Sequence, residues 1–419
     1  MLNDQHHKRA VLLLIIVAGL GYFVDIYDLI LFLFVKNSSL NDLHLDVDKV
    51  GTSLLNYQLI GMLLGGIVWG ILGDKKGRLS TLFLTILIYS LANIANGFVQ
   101  TEMQYKVLRF IAGFGLAGEL GVGITLVSEL MSKESRGYGT SIVAGIGIAG
   151  AALGYLVSRE FGWRQAYWVG GGLGIALLIM RASVNESKLF SKAKSDNVVR
   201  GNFFSIFSNG KRALKYLCCI LIGLPVWFVI GVLLKDADKF ATNVFHITGI
   251  TLTDPKEIAK EIAGKSVLYH YIGASLGSFI TGFMGQWLRS RKKALIISLA
   301  LLTLCLAAFF SASGISLTLY YFIIFLLGIA QGYWAVFITI ASEQFGTDLR
   351  ATVATTAPNF VRGGTVLMAM GYAALGIAKE GSMRGGLIVG AIVLTLAFVS
   401  AFLLKETYGK ELDYLETAE

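Results

Sequence analysis

Five ionisable side chains lie inside long apolar stretches of this sequence, and their chemistry gives the first indication of function. They are the carboxylates of Asp25, Asp28 and Glu119 and the guanidinium groups of Arg109 and Arg362. An ionisable group at bilayer depth is costly, so such a residue usually marks a transport pathway or a coupling site. Carboxylates that lie close together in a low dielectric exchange protons, and an arginine that faces a cavity binds anions. The pattern predicts proton coupling together with anion binding.

The composition places these residues in a membrane protein. Of the 419 residues, 55% are hydrophobic and only 15% are charged, whereas a soluble domain carries about 25% charged residues. This excludes a soluble globular domain, a disordered chain and a basic nucleic-acid-binding domain. The three cysteines lie in apolar runs and the five histidines do not cluster, so we expect no disulfide framework and no metal site.

Twelve apolar runs are long enough to cross a bilayer, which takes roughly 20 residues per helix. They predict an all-α integral membrane fold of twelve transmembrane helices. The first run is too long, and too interrupted by Asp25 and Asp28, for a cleaved signal peptide. The runs cover approximately 10–35, 51–73, 79–99, 104–131, 136–160, 164–184, 213–235, 257–288, 293–313, 317–343, 350–379 and 383–404.

The distribution of basic residues predicts how the chain is oriented. If both termini are cytoplasmic, 22 of the 36 Lys and Arg residues face the cytoplasm, Arg181 among them, and 12 face the other side. The positive-inside rule favours this orientation. It accounts for most of the net charge of +9 without a nucleic acid as partner. We therefore predict a monomeric, multi-pass protein of the inner (plasma) membrane with both termini in the cytoplasm.

An internal repeat divides the runs into two halves. Glu129 is followed seven residues later by Arg136, and Glu343 is followed seven residues later by Arg350, at an offset of 214 residues. Such a repeat predicts two pseudo-symmetric six-helix bundles. The predicted domains are an N-terminal bundle over 1–184, a cytoplasmic linker over 185–212 and a C-terminal bundle over 213–419.

The segment Gly70-Ile-Leu-Gly-Asp-Lys-Lys-Gly-Arg78, together with the two Glu/Arg junctions, resembles the major facilitator superfamily. The resemblance covers essentially the whole chain and implies two bundles that rock about a central site. Charges that pair across the bundle interface on one face must separate when that face opens. The resemblance implies such a cytoplasmic gate, the alternative being that these charges serve topology alone. The gate residues are Asp74, Arg78, Glu129, Arg136, Glu343 and Arg350.

Three motifs of the first half resemble, more closely, the metabolite:proton symporters of that superfamily. They are Arg109-Phe-Ile-Ala-Gly-Phe-Gly-Leu-Ala-Gly-Glu119, Val24-Asp-Ile-Tyr-Asp28 and Glu186-Ser-Lys-Leu-Phe190. Members of that group carry organic acids, betaines and similar small solutes. The resemblance therefore implies proton-coupled transport of a small metabolite.

The helical rise of about 1.5 Å per residue sets the depths of the intramembrane charges. Asp28 matches the depth of Arg109 toward the outer side, and Asp25 lies near Glu119 at the midplane. We therefore expect an Asp28–Arg109 ion pair and an Asp25–Glu119 couple that retains one proton. In this hypothesis, protonation of Asp25, Asp28 or Glu119 breaks or remakes the pairing with Arg109. The alternative is a permanent Asp28–Arg109 bridge between two helices.

Arg362 has no obvious acidic partner in the apolar runs of its own half, so it is a candidate site for an anionic substrate. Asn359 lies three residues earlier, on the same helix face. The alternative is that Arg362 pairs with Glu343 or with a backbone carbonyl. The other predicted substrate-binding residues are polar or aromatic side chains of the apolar runs: Gln331, Tyr333, Trp334, Tyr27, Tyr57, Gln58, Trp227 and His270. His270 is also a candidate proton relay, with packing as the alternative role.

These features predict a secondary active transporter and not an enzyme. The leading hypothesis is proton-coupled uptake of a small anionic or zwitterionic metabolite by alternating access. The alternative is proton-coupled export of a siderophore, drug or metabolite. The expected partners are the small-molecule substrate, protons and the lipid bilayer, and no cofactor is expected.

Overall fold

The computed structural model describes residues 2–182, 201–377, 383–412 and 414–416. Within those residues the chain is built almost entirely from helices, and it forms no β-strand there beyond one isolated bridge between Thr248 and Ser316. The long apolar runs explain this choice, because in lipid every backbone polar group must be satisfied within its own segment.

The first half contains eight helices that form six membrane-crossing segments. Two of these segments are broken near the middle, between α4 and α5 and between α6 and α7. The helices are α1 (Leu2–Asp42), α2 (Val47–Lys76), α3 (Arg78–Asn96), α4 (Glu102–Leu116), α5 (Glu119–Leu130), α6 (Arg136–Ile148), α7 (Gly150–Glu160) and α8 (Trp163–Ala182).

The second half repeats this arrangement with six further segments. Its first segment begins with α9 and α10 and continues through π-helical and 3-10 turns to Val244, and its fourth is broken between α14 and α15. The helices are α9 (Gly210–Leu221), α10 (Leu224–Phe228), α11 (Ala237–Lys239), α12 (Pro255–Trp287), α13 (Arg291–Phe310), α14 (Leu317–Gln331), α15 (Trp334–Gln344), α16 (Arg350–Tyr372) and α17 (Met383–Leu403).

The twelve predicted crossings are confirmed. Nine segments of the described chain are long and apolar enough to cross a membrane by length and hydropathy alone. The other three are α8, α12 and α16, which carry more polar side chains. In α16 these include Thr352, Thr355, Asn359 and Arg362, all of which are buried. The polar face of α16 therefore turns into the protein and not toward lipid.

Two helix pairs hold the bundles together. Helix α2 packs along α16, and α6 packs along α12. Counted as crossings, these are the second with the eleventh and the fifth with the eighth. The second and eighth crossings are six apart, as are the fifth and eleventh, so equivalent crossings of the two halves exchange places between the pairs. This supports the predicted pseudo-symmetry. The domain bounds stay a prediction, and residues 185–200 of the predicted linker lie outside the described residues.

A glycine of α5 sets how closely the bundles approach. A Cβ atom at Gly121 would lie 2.5 Å from the Ala354 carbonyl oxygen of α16 and would overlap the Thr355 backbone, whereas a Cβ at Gly123 would meet nothing within 4 Å. We expect Gly121→Ala to destabilise this arrangement by about 1–3 kcal/mol, because neither backbone can yield. Its melting temperature should fall below that of Gly123→Ala, the matched control. Equal melting temperatures for the two variants would contradict this role.

Candidate functional site

A cavity lies between the two bundles near the middle of the membrane-spanning region. The space in it that admits a water-sized sphere is about 30 Å³, within about 380 Å³ of space free of protein atoms that is partly open to its surroundings. Its walls are mostly aromatic and aliphatic, with a few polar groups that converge on one side, as is usual for a small-molecule site. The lining residues are Tyr22, Ile26, Ile148, Val226, Trp227, Ile230, His270, Tyr271, Ala274, Gln331, Trp334 and Arg362.

Arg362 supplies the positive charge of this cavity. Its side chain is only 1% exposed, and its guanidinium carbon lies 5.8 Å from the Trp227 ring centre and 5.9 Å from that of Trp334. The tryptophan rings attract the cation and restrict its orientation. Arg362 Nε has no hydrogen-bond partner among the described residues. The group is therefore held in place and still has a donor to offer a ligand.

Asn359 positions Arg362 and does not line the cavity. Its Oδ1 accepts a hydrogen bond from Arg362 at 3.1 Å, and its Nδ2 donates to the Ala117 carbonyl of the other bundle at 2.9 Å. That carbonyl lies at the break between α4 and α5. The break thus provides the acceptor of a hydrogen bond that connects the N-terminal bundle, through Asn359, to Arg362.

The other predicted substrate-binding residues divide into two groups. Trp227, His270, Gln331 and Trp334 line the cavity, and their role in binding a substrate stays a prediction. The remaining four lie elsewhere, because the rotation of each helix turns them away. The hydroxyl groups of Tyr333 and Tyr27 donate to the carbonyls of Ile222 and Ala166, respectively. Gln58 accepts a hydrogen bond from Arg109. Tyr57 lies beneath the Lys106 ammonium group, and its side chain is partly exposed.

Sequence reasoning missed Tyr22 and Tyr271 as cavity residues. Tyr22 is 1% exposed and lies on the face of α1 that also carries Ile26, and its hydroxyl group is directed at Arg362 and Trp334. A signal was available, because Tyr22 is three residues from Asp25 and therefore shares its helix face. Tyr271 has no comparable signal, since it is one of several aromatic residues in its run.

The predicted Asp28–Arg109 ion pair is not formed within 4 Å. Arg109 instead donates a hydrogen bond to Gln58 Oε1 and stacks over the Phe32 ring, 5.0 Å from its centre. The carboxylate oxygens of Asp28 have no hydrogen-bond partner in the described chain. Helix α2 brings an uncharged acceptor closer to Arg109 than α1 brings its carboxylate.

Glu119 forms an ion pair with Arg181, whereas its only predicted partner was another carboxylate. Arg181 donates two hydrogen bonds, at 2.5 Å and 3.3 Å, to the two oxygens of Glu119, and both side chains are buried. Counting Arg181 in the cytoplasmic cluster was wrong. Its backbone lies in the last turn of α8, but its long side chain extends into the bundle.

The predicted gate residues assemble on one membrane face, where α2 ends and α3 begins. We call this the latch face, and the charge distribution predicts that it is cytoplasmic. Asp74 of α2 accepts hydrogen bonds from the backbone N–H groups of Ala351 (3.1 Å) and Thr352 (2.8 Å) of α16. An anionic acceptor at the start of a helix satisfies its free N–H groups and favours its dipole. This cap joins the two bundles.

Two networks of ion pairs accompany that cap. In the first, Arg78 lies 3.2 Å from Asp74 and 2.9 Å from Glu129, which also lies 3.2 Å from Arg350 of the other bundle. In the second, Glu343 lies 3.8 Å from Arg136 and 3.6 Å from Arg291. Arg291 was absent from the prediction. Each network crosses the bundle interface, so opening this face requires both to break.

Residues 405–412 and 414–416 lie across the latch face. Arg136 of the first bundle donates to the Lys410 carbonyl at 3.2 Å, and Arg212 of the second donates to the Glu416 carbonyl at 2.7 Å. Glu406 accepts hydrogen bonds at the start of α13. Burial opposes its ionisation, but the Ser290 hydroxyl and nearby backbone N–H groups bind the carboxylate and lower its pKa. The segment therefore reinforces the closed latch.

Comparisons with known proteins agree with this architecture. The family description of the Major Facilitator Superfamily matches residues 11–357. The chain is 27% identical to the niacin transporter NiaP of Acinetobacter baylyi, over 95% of this chain and 94% of that protein. It is 26% identical to the cis,cis-muconate transport protein of the same species, over 93% of each.

A solved structure shows the same fold. The proton:xylose symporter XylE, bound to 6-bromo-6-deoxy-D-glucose, superposes with a TM-score of 0.75 over 98% of this chain and 99% of that one, at 18% identity. The match with the family extends from the first crossing into the eleventh and so includes both bundles. The chain belongs to the Major Facilitator Superfamily and is a multi-pass membrane transporter of metabolites, not an enzyme.

Proposed function

We propose that this protein takes up a small organic anion together with a proton. The observation that carries the proposal is the single buried arginine of the cavity, Arg362, held between Trp227 and Trp334. A guanidinium group binds a carboxylate through two parallel hydrogen bonds. The remaining walls are mostly aromatic and aliphatic, which suits a flat, apolar body. Niacin and cis,cis-muconate, named for two relatives, are both carboxylic acids.

Asp25 is the proton-binding group in this proposal. It follows the cavity residue Tyr22 on α1, it is fully buried, and its oxygens have no hydrogen-bond partner among the described residues. Arg362 is the cation that acts on it most strongly. A substrate carboxylate at Arg362 competes with Asp25 for this charge. Two carboxylates close together in a low dielectric do not both stay ionised, so binding the anion favours a proton on Asp25.

The other sites follow from this assignment. Asp28 and Arg109 lie further from the cavity, and we assign them to the structure of the N-terminal bundle, with Gln58 as the partner of Arg109. The latch-face networks hold the state that is closed on that side. We propose that the protein acts as a monomer in the inner (plasma) membrane with both termini cytoplasmic, so that loading of the site precedes opening of the latch toward the cytoplasm.

Uptake by purified protein in liposomes tests the proposal. With the lumen more alkaline than the medium, we expect nicotinate, cis,cis-muconate or another carboxylate of a small panel to accumulate above equilibrium and to leave when a protonophore is added. Protein-free liposomes control for passive entry of the neutral acids. Xylose, which has no charge for Arg362, is the neutral comparison. Accumulation of xylose without any carboxylate would contradict the proposal.

A further inference from the structure

The ion pair between Glu119 and Arg181 lies directly against the helix that carries Asp25. A Cβ atom at Gly21 would overlap both Glu119 Oε1 and Arg181 Nη2. The absence of a side chain at Gly21 therefore leaves the space in which the pair lies against α1. Gly21 is one helical turn before Asp25 and adjoins the cavity residue Tyr22. Helices α1, α5 and α8 thus meet at one buried ion pair beside the proposed proton site.

The groups around Asp25 come from five helices. Arg362 of α16 and Glu119 of α5 interact electrostatically with the Asp25 carboxyl group. Tyr89 of α3 lies among the carboxyl groups of Glu119, Asp28 and Asp25. Its hydroxyl group has no hydrogen-bond partner in the described chain. Tyr22 and Asp28 belong to α1 itself, and Arg181 reaches the cluster from α8. The charged and titratable groups that face Asp25 are Tyr22, Asp28, Tyr89, Glu119 and Arg362, whereas Arg181 reaches it only through Glu119.

Arg181 gives one of the two carboxyl groups of this cluster, that of Glu119, a cationic hydrogen-bond partner that the other lacks. Glu119 receives two hydrogen bonds from a guanidinium group, and charge-assisted pairs of this kind strongly favour the ionised carboxylate. Asp25 receives none. Because two neighbouring carboxylates do not both stay ionised in a low dielectric, the ion pair between Glu119 and Arg181 leaves Asp25 as the carboxyl group that takes the proton.

We infer that Arg181 is a positioning residue that assigns the transported proton to Asp25 by holding Glu119 in an ion pair. This inference rests on the proposed function. Arg181 does not line the cavity, and it acts on transport only through Glu119. Without it, the proton of the couple is taken by Glu119, and Asp25 stays ionised beside Arg362, where it competes with the anionic substrate.

The pH dependence of uptake tests this role. We expect Arg181→Gln to move the external pH of half-maximal uptake to lower values by about one to two units, since Asp25 loses the help of an ionised neighbour in binding its proton. At a pH low enough to protonate Asp25, uptake should return to the wild-type rate. Arg181→Lys retains the cation and should restore most of the wild-type pH profile.

The double variant Glu119→Gln, Arg181→Gln separates this role from a structural one. It replaces the ion pair by two neutral amides of similar size, so it should fold even if Arg181→Gln alone does not. The inference predicts the same shift of its pH profile toward acid. A double variant with a wild-type pH profile would overturn it, because Arg181 would then serve folding only. A different result would contradict the proposed function: uptake by the wild-type protein that does not depend on the proton gradient.

Discussion

Arg362→Gln should weaken the binding of an anionic substrate by about 30- to 150-fold, which corresponds to about 2–3 kcal/mol for a lost hydrogen-bonded ion pair in a buried site. The cavity has no second cation among its lining residues in the described chain, so nothing replaces the lost charge. Glutamine also cannot form the planar fork that binds both carboxylate oxygens. The measurement is the apparent affinity, from uptake and from the thermal shift of the purified protein.

Two variants control this experiment. Arg362→Lys keeps the charge but loses the fork, so its affinity should lie between those of the wild type and Arg362→Gln. Arg159→Gln removes an exposed arginine at the end of α7 and should leave the affinity unchanged. If Arg362→Gln binds the substrate as tightly as Arg159→Gln does, the anion does not bind at Arg362.

The fold could be predicted from the sequence because its main determinant is local. A helix must satisfy its own backbone and present about 20 apolar residues to lipid, and both properties can be read from a single run. The repeat of Glu129 and Arg136 by Glu343 and Arg350 then indicates which ends lie on the same face. The structure brings those four residues to one face, in networks that join the bundles.

The pairing of the buried charges could not be predicted, because it depends on how each helix is rotated. Depth alone made Asp28 the partner of Arg109, yet Gln58 of α2 is the residue that Arg109 contacts. Arg181 was missed for another reason. It lies at the end of an apolar run, where the positive-inside rule already accounts for a basic residue. A long side chain at a helix end can extend toward the membrane centre or away from it, and the sequence does not distinguish the two.

Asp25→Asn should uncouple the transporter without preventing substrate binding. The amide resembles the protonated carboxyl group in size and charge, so the variant mimics the proton-loaded state permanently. We expect exchange of substrate across the membrane to continue, whereas net accumulation falls to equilibrium. If one proton enters with each substrate, a gradient of two pH units supports about 100-fold accumulation in the wild type, and this ratio should fall to about one in the variant.

Asp28→Asn is the matched control, because it makes the same substitution on the same helix, one turn further from the cavity. Asp28 is equally buried and its oxygens also have no hydrogen-bond partner in the described chain, so burial alone cannot explain a difference between the two variants. What distinguishes them is position: Arg362 acts on Asp25, whereas Arg109 acts on Asp28. Accumulation that survives Asp25→Asn but is lost in Asp28→Asn would transfer the proton site to Asp28 and separate it from the substrate arginine. Loss of accumulation in Asp25→Asn alone would instead assign the proton site to Asp25, where proton and substrate compete for the charge of Arg362, and that competition is sufficient to couple their transport.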